Sequence, residues 1–215
     1  MTSRHYTPLD RCLMNVDQMV RTVFGGRPVA ERPNPAGTVP ETTPLTTAQR
    51  LRAQRLMRVN HAGEVAAQAL YHGQGLTARR NDVRDAMTRA AREENDHLAW
   101  CEDRIAELGG RTSALGPAWY TGSLLIGAAA GAAGDKWSLG FLAETEYQVV
   151  AHLTDHLRRL PANDARSRAI LEQMREDEAH HATTAMEAGG TPLPKAVKRL
   201  MSVTSKVMTS VAYWI

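Results

Sequence analysis

Residues 93–108 read EENDHLAWCEDRIAEL, and residues 175–182 read REDEAHHA. Each stretch holds a Glu-x-x-His: Glu94 with His97, and Glu178 with His181. Positions i and i+3 share one face of a helix, and in both stretches that face is apolar. Met87, Ala91, Leu98, Cys101, Ile105 and Leu108 continue the first stripe; Ile170, Leu171, Met174 and Ala185 continue the second. Spacings of three and four mark the core side of a helix, so these acids point where the leucines point. A carboxylate in that position is costly to bury unless a cation compensates it.

Two more glutamates sit the same way. Glu64 lies between Leu56, Met57 and Asn60 on one side and Ala67 and Tyr71 on the other. Glu146 lies in a stripe of Leu139, Leu142, Val149, Val150, Leu153, Leu157 and Leu160. The intervals from Glu64 to Glu94 and from Glu146 to Glu178 each match one antiparallel helix pair. Core helices are therefore predicted over about 46–76, 81–108, 117–160 and 163–188. Thr46 or Thr47 caps the first, and Asn163 or Asp164 the last. Gly75, Gly109-Gly110 and Gly189-Gly190 are stops, and Gly131 to Asp135 marks a bend in the third reading.

Outside this set, residues 8–24 predict a short amphipathic helix and 193–214 a last one after Pro192 and Pro194. Residues 25–45 hold five of the ten prolines and read as an extended, mobile linker. No segment sustains a strand alternation. The expectation is an all-α chain: a four-helix bundle with a flanking N-terminal helix and an additional C-terminal amphipathic helix. It divides into an extension at 1–45 and a domain at 46–215.

The pattern is a metal-binding one. Each carboxylate of a Glu-x-x-His pair can bridge two ions while its imidazole binds one, and Glu64 and Glu146 supply terminal oxygens. Four carboxylates balance two divalent cations. Mixed oxygen and imidazole ligands suit iron or manganese better than structural zinc. One Glu-x-x-His alone is a common accident of charged helices; two copies, each preceded by a stripe glutamate, form the ligand set of ferritin-like di-iron and di-manganese bundles. The off-stripe acids Glu93, Glu144, Glu172, Glu176 and Asp177 read as solvated faces or as outer supports. His152, six residues past Glu146, reads equally as an outer support of the centre or as core packing. His180 reads as surface, His61 and His72 as surface or outer support, and His5 and His156 as exposed.

Composition narrows the alternatives. The chain has 215 residues, 43% hydrophobic, 23% charged and 5% aromatic, with a net charge of +3 and a pI near 9.1. Nucleic-acid binding gets little support without a clustered basic surface. The basic groups at Arg50, Arg52, Arg55 and Arg58, and at Lys195, Lys198, Arg199 and Lys206, read as solvated helix faces. Two cysteines, Cys12 and Cys101, form no metal or disulfide pattern. No signal peptide is evident, and no apolar run is long enough to span a bilayer.

Four segments carry a family resemblance. RVNHAGEVAAQALYHGQ (58–74), EENDHLAWCEDRIAELGGRTSALGP (93–117), ETEYQVVAHL (144–153) and REDEAHHA (175–182) resemble the metal-bearing helices of the demethoxyubiquinone hydroxylases of ubiquinone biosynthesis. The resemblance covers about 50–190, and its HAGE block is more specific than the Glu-x-x-His pairs. It implies that Glu64, Glu94, His97, Glu146, Glu178 and His181 ligate two iron ions, and His152 matches a histidine the family carries after its third ligand. It implies O2-dependent hydroxylation of a polyprenylated 3-methyl-6-methoxy-1,4-benzoquinol, one oxygen atom entering the ring and the other leaving as water. The electron donor is open, with NADH or a partner reductase as candidates; no dinucleotide fingerprint appears.

A bilayer-bound substrate in turn implies peripheral attachment to the membrane, on the inner face facing a bacterial cytoplasm. GSLLIGAAAGAAG (122–134) and the basic amphipathic helix ending in Tyr213, Trp214 and Ile215 are the candidate contacts. Tight packing of 122–134 inside the fold is the plain alternative, and so is docking of the last helix onto the bundle or a second subunit. Candidate partners are a second copy and other ubiquinone-biosynthesis proteins. The rival readings are a ferroxidase, a di-iron hydroxylase of another substrate, and a non-catalytic lipid-binding module.

Overall fold

The computed structural model describes residues 28–40 and 43–215, together with Asp10, Asp17, Val20 and Thr22. The helix expected over 8–24 falls outside the described residues apart from those four, as do His5 and Cys12. Six α-helices follow: α1 (Thr47–Thr77), α2 (Asn81–Glu107), α3 (Gly116–Ala132), α4 (Asp135–Arg159), α5 (Ala165–Glu187) and α6 (Lys195–Ala212). Among the described residues there is no strand.

Local chemistry sets the helix ends. Thr46 and Gln49 form a capping box: the Thr46 hydroxyl accepts from the Gln49 N–H at 3.3 Å, and the Gln49 side chain accepts from the Thr46 N–H at 2.9 Å. Asp164 caps α5 by accepting from the Ser167 N–H at 3.0 Å, and it also holds the buried Arg104 at 2.8 Å. That ion pair ties the end of α2 to the start of α5. Gly134 adopts φ +115° between α3 and α4, a conformation other residues rarely take. The reading over 117–160 is therefore two helices parted at this glycine.

Helices α1 and α2 pack as one pair and α4 and α5 as another; α3 lies along the outside of α1, and α6 rests on α1 and α4. The four paired helices make the ferritin-like bundle. Its core has two apolar levels. One contains Leu56, Met57, Trp100, Ile105, Leu157, Ile170 and Met174. The other contains Tyr71, Val83, Met87, Leu139, Leu142 and Ala185. On each of the four helices the predicted ligand residues fall between these two levels.

The Pro-rich stretch departs from the mobile linker expected of it. Pro35–Thr38 forms a 3-10 turn against α5, and Asn34 caps it by accepting from the Ala36 N–H. Ala36 and Leu45 are buried in the core of the bundle. These apolar side chains, with Arg32 and Asn34 bonded to Asp96 and Asp103, lay the segment down, and the prolines have already removed much of the freedom it would lose.

Helix α3 shows the tight packing that is one reading of 122–134. A Cβ on Gly127 would lie 2.1 Å from the Leu70 carbonyl oxygen, and one on Gly73 would lie 2.2 Å from the Leu124 carbonyl oxygen. Only glycine lets the two backbones touch. The opposite side of α3 leaves Leu125 and Ile126 exposed. Gly127→Ala is expected to destabilise the protein by about 1–3 kcal/mol through overpacking. Gly122→Ala, at a helical position with nothing within 4 Å of the new Cβ, should instead be neutral or stabilising by up to about 1 kcal/mol. Urea unfolding midpoints of the two variants check this, and equal losses would mean that α1 and α3 are not in such close contact.

Candidate metal centre

The six stripe residues converge at the middle of the bundle in two overlapping groups. One comprises Glu64, Glu94, His97 and Glu178; the other comprises Glu94, Glu146, Glu178 and His181. In each group the donor atoms lie within 4.8 Å of one another. Glu94 and Glu178 belong to both groups, and their oxygens are divided between them. His97 Nδ1 is 3.0 Å from Glu94 Oε2 and 3.1 Å from Glu178 Oε1. His181 Nδ1 is 3.0 Å from Glu178 Oε2 and 3.8 Å from Glu94 Oε1. Each of these carboxylates thus spans two subsites, one oxygen to each. Glu64 Oε2 lies 3.6 Å from His97 Nδ1.

Nearly all of this is shut away from water: Glu94 and His97 are fully buried, Glu146 and Glu178 are 1% exposed, and Glu64 is 3% exposed. Burial pushes the Glu64 and Glu146 carboxyls well above the ordinary range, and the neighbouring carboxylates push them further. Burial disfavours a charged Glu178 as well, but His97 and His181 outweigh it and bring that carboxyl down to about 2. Burial opposes charge on His181 too; hydrogen bonds to Glu178 and Glu93 overcome it and raise the ring to about 11. In this form protons neutralise what cations would otherwise neutralise. Glu94 Oε1 and both Glu146 oxygens are buried with no hydrogen-bond partner. Orphaned acceptors at the meeting point of two donor groups are what a cation would satisfy, so the residues present fit a pair of metal ions.

Both histidines aim Nδ1 inward because Nε2 is held from the opposite helix. His97 Nε2, on α2, hydrogen-bonds Asp177 Oδ2 of α5 at 2.9 Å. His181 Nε2, on α5, hydrogen-bonds Glu93 of α2. An outer carboxylate that fixes the tautomer and orientation of a ligand imidazole raises its basicity. Glu93 and Asp177 were among the off-stripe acids for which a solvated face was one reading. Their signal was their place: each immediately precedes the glutamate of a Glu-x-x-His.

The remaining histidines and acids divide. His152 is in neither donor group; it lines a cavity beside Glu64, with Nε2 buried and unpartnered. Burial pushes its ring down to about 4. His156, expected to be exposed, is buried and hydrogen-bonded to Asn60 at 2.8 Å, with its ring 3.8 Å from that of His152. His61 is buried as well, and His72 bonds the Tyr120 hydroxyl at 2.9 Å. His180, Glu172 and Glu176 are exposed as read, while Glu144 is buried and paired with Lys198 at 2.6 Å. Cys101 is a buried free thiol.

The cavity has a volume of about 280 Å³ and lies between α1, α3, α4 and α6. Leu70, Ile126, Phe141, Val149, Leu153, Leu200 and Met208 make it mostly apolar, and Glu64, Asn60 and His152 are its polar features nearest the centre. No described helix is long and apolar enough to cross a membrane.

Comparison with known proteins meets this geometry. The chain is 60% identical to a 3-demethoxyubiquinol 3-hydroxylase of Nitrosococcus oceani over 215 residues, covering all of both chains. It is 56% identical over 212 residues to one of Acinetobacter baumannii, covering 99% of this chain and all of the relative. It is 52% identical over 213 residues to one of Coxiella burnetii, covering 99% and 98%. Residues 51–212 match the family described as "Ubiquinone biosynthesis protein COQ7", and the chain belongs to that family.

Proposed function

We propose that this chain is a di-iron monooxygenase that hydroxylates a polyprenylated 3-methyl-6-methoxy-1,4-benzoquinol, the demethoxyubiquinol of ubiquinone biosynthesis. The observation that carries the reading is the division of the Glu94 and Glu178 oxygens between two donor groups beneath an apolar cavity. Glu94 and Glu178 would bridge the irons, His97 and His181 would each give one nitrogen, and Glu64 and Glu146 would close the outer positions. Bound there, two ferrous ions would supply the two electrons that, with two protons, O2 needs to turn a ring C–H into C–OH, the second oxygen leaving as water; an outside donor, NADH or a reductase, would restore them. Glu64 faces both the metal group and the cavity, so ring and O2 would meet on its side.

The cavity walls serve the same end. Leu70, Phe141, Val149 and Leu153 exclude water and leave an aromatic ring few orientations. His152 is neutral at physiological pH and offers its unused Nε2 to a ring hydroxyl. The prenyl tail would leave between α3 and α6, whose Ile126 and Leu200 line the cavity. On that side Leu125, Ile126, Val197, Leu200, Val203 and Val207 are exposed, with Trp214 and Ile215 at the chain end. Apolar residues alternating with lysines suit peripheral attachment to an anionic membrane surface. The inner face of the cell membrane is the place where such a quinol and a cytoplasmic reductant meet.

Three outcomes are expected. The iron-loaded, reduced protein given a short-chain demethoxyubiquinol and isotopically heavy O2 should yield a product heavier by one labelled oxygen, read by mass spectrometry. Consumption of O2 with the quinol unchanged would point to a ferroxidase or another substrate. Glu178→Ala should prevent loading of two irons and lower product formation by more than about a hundredfold, beyond the loss usual for outer-shell partners; retained two-iron stoichiometry would remove Glu178 from the bridging position. Val203→Glu with Val207→Glu should reduce sedimentation with anionic liposomes while sparing turnover of a tail-less substrate, because neither residue lines the cavity. Unchanged sedimentation would place the membrane contact elsewhere.

A further inference from the structure

The two histidines are not supported alike. His181 is held by Glu93, whose side chain is 50% exposed, so water screens that contact. His97 is held by Asp177, and Asp177 is itself clamped. The Arg32 guanidinium reaches it from the Pro-rich stretch: Nη2 lies 2.9 Å from Asp177 Oδ2, the same oxygen that accepts from His97 Nε2. Arg32 Nε bonds Asp96 Oδ2 at 2.6 Å. Asp96 Oδ1 accepts in turn from the backbone N–H of Glu31 at 2.7 Å and of Arg32 at 3.4 Å. The guanidinium sits over the Trp100 ring at 4.9 Å. Gln173 holds the other oxygen of Asp177 at 3.0 Å. Both oxygens of Asp177 therefore have partners, and the planar fork of arginine suits two carboxylates at once.

We propose that Arg32 is a positioning residue for one of the two metal ions, the one bound by His97. By joining Asp96 of α2 to Asp177 of α5, it fixes the carboxylate that turns His97 Nδ1 into the cluster. The stretch ahead of the bundle is then part of the metal centre's support, and its effect is one-sided. Without Arg32, Asp96 and Asp177 lose the cation they share, and Asp177 keeps only His97 and Gln173 as partners, so its hold on the His97 ring loosens. The His181 side keeps its own hydrogen-bond partner, Glu93, which Arg32 reaches only through space.

This inference rests on the di-metal reading, and the test separates the two. The full chain is titrated anaerobically with ferrous iron enriched in the Mössbauer isotope, and the unfolding midpoint of the metal-free protein is measured alongside. Wild type should take up two irons. Arg32→Gln should weaken one of them by about tenfold or more, the range typical of outer-shell partners, and shift one quadrupole doublet while leaving the other in place. Arg32→Lys, which keeps the charge and loses the fork, should recover part of that affinity. Asp96→Asn, which loosens the clamp without touching Asp177, should shift the same doublet by less. Equal weakening of both irons together with a lowered unfolding midpoint would make Arg32 a fastener of the chain only and overturn the proposal. Unchanged binding would also overturn it. Fewer than two irons in wild type would defeat the di-metal reading and take this inference with it.

Discussion

Four carboxylates meet in the dry middle of a helical bundle, and the rest of the structure answers to that. Without compensation such a cluster cannot stay ionised, because burial and mutual repulsion both disfavour charge. The molecule divides the burden. Glu64 and Glu146 are held toward their protonated forms, while Glu178 stays ionised between two histidines that are held toward theirs. Loading cations is then an exchange of metal for protons, and affinity must rise with pH. It also explains why the cluster sits between two apolar levels of the core. Packing above and below fixes the register of the four helices and so the relative positions of the donor groups.

The helices are cross-braced accordingly. Glu93 and Asp177, the acids before Glu94 and Glu178, each reach to the histidine on the facing helix, so α2 and α5 hold each other's donor groups. Neither helix could rotate or slide without disturbing both rings. The brace from Asp177 is anchored in turn to Asp96, on the same turn of α2 as His97. The two braces thus differ: one carries a further ion pair to Arg32, and the other ends on a half-exposed carboxylate.

Much of this was legible in the chain because it is periodic. The six ligand-type residues share a face with leucines at spacings of three and four, and that regularity survives the passage to three dimensions. The break at Gly134 and the cap at Thr46 are legible for the same reason: each is local backbone chemistry. What could not be read depends on contacts between distant segments. Asp177 and Glu93 stand one position off the stripe and become important only once a facing helix supplies a ring. His156 looks exposed until Asn60 meets it across the bundle. Arg32 lies 64 residues before Asp96, in a stretch with no periodicity at all, so neither its partner nor the docking of the segment around it leaves a pattern. The small-residue run at 122–134 supports two readings because one helix can pack tightly on one side and stay apolar on the other.

Helix α6 brings these arguments to the substrate. Its inward face lines the cavity, yet within the helix only Ala212 is fully buried. It is fastened at its two ends. Lys198 pairs with Glu144 at 2.6 Å near the start, and Arg55 lies 4.2 Å from the Trp214 ring and 5.3 Å from the Tyr213 ring at the finish. Between those points Met201, Thr204, Ser205 and Met208 line the cavity, so on the proposed reading an apolar tail would be accommodated beneath α6. Away from the cavity the same helix exposes Val203 and Val207, while Val197 and Leu200 are exposed along the cavity wall itself. A lipid-anchored ring that reaches Glu64 along this wall would leave its tail against the very surface best suited to meet the bilayer. On the proposed reading, the depth of the centre and the apolar outside of α6 would answer one requirement: a ring that reacts in the dry interior while its tail stays in lipid.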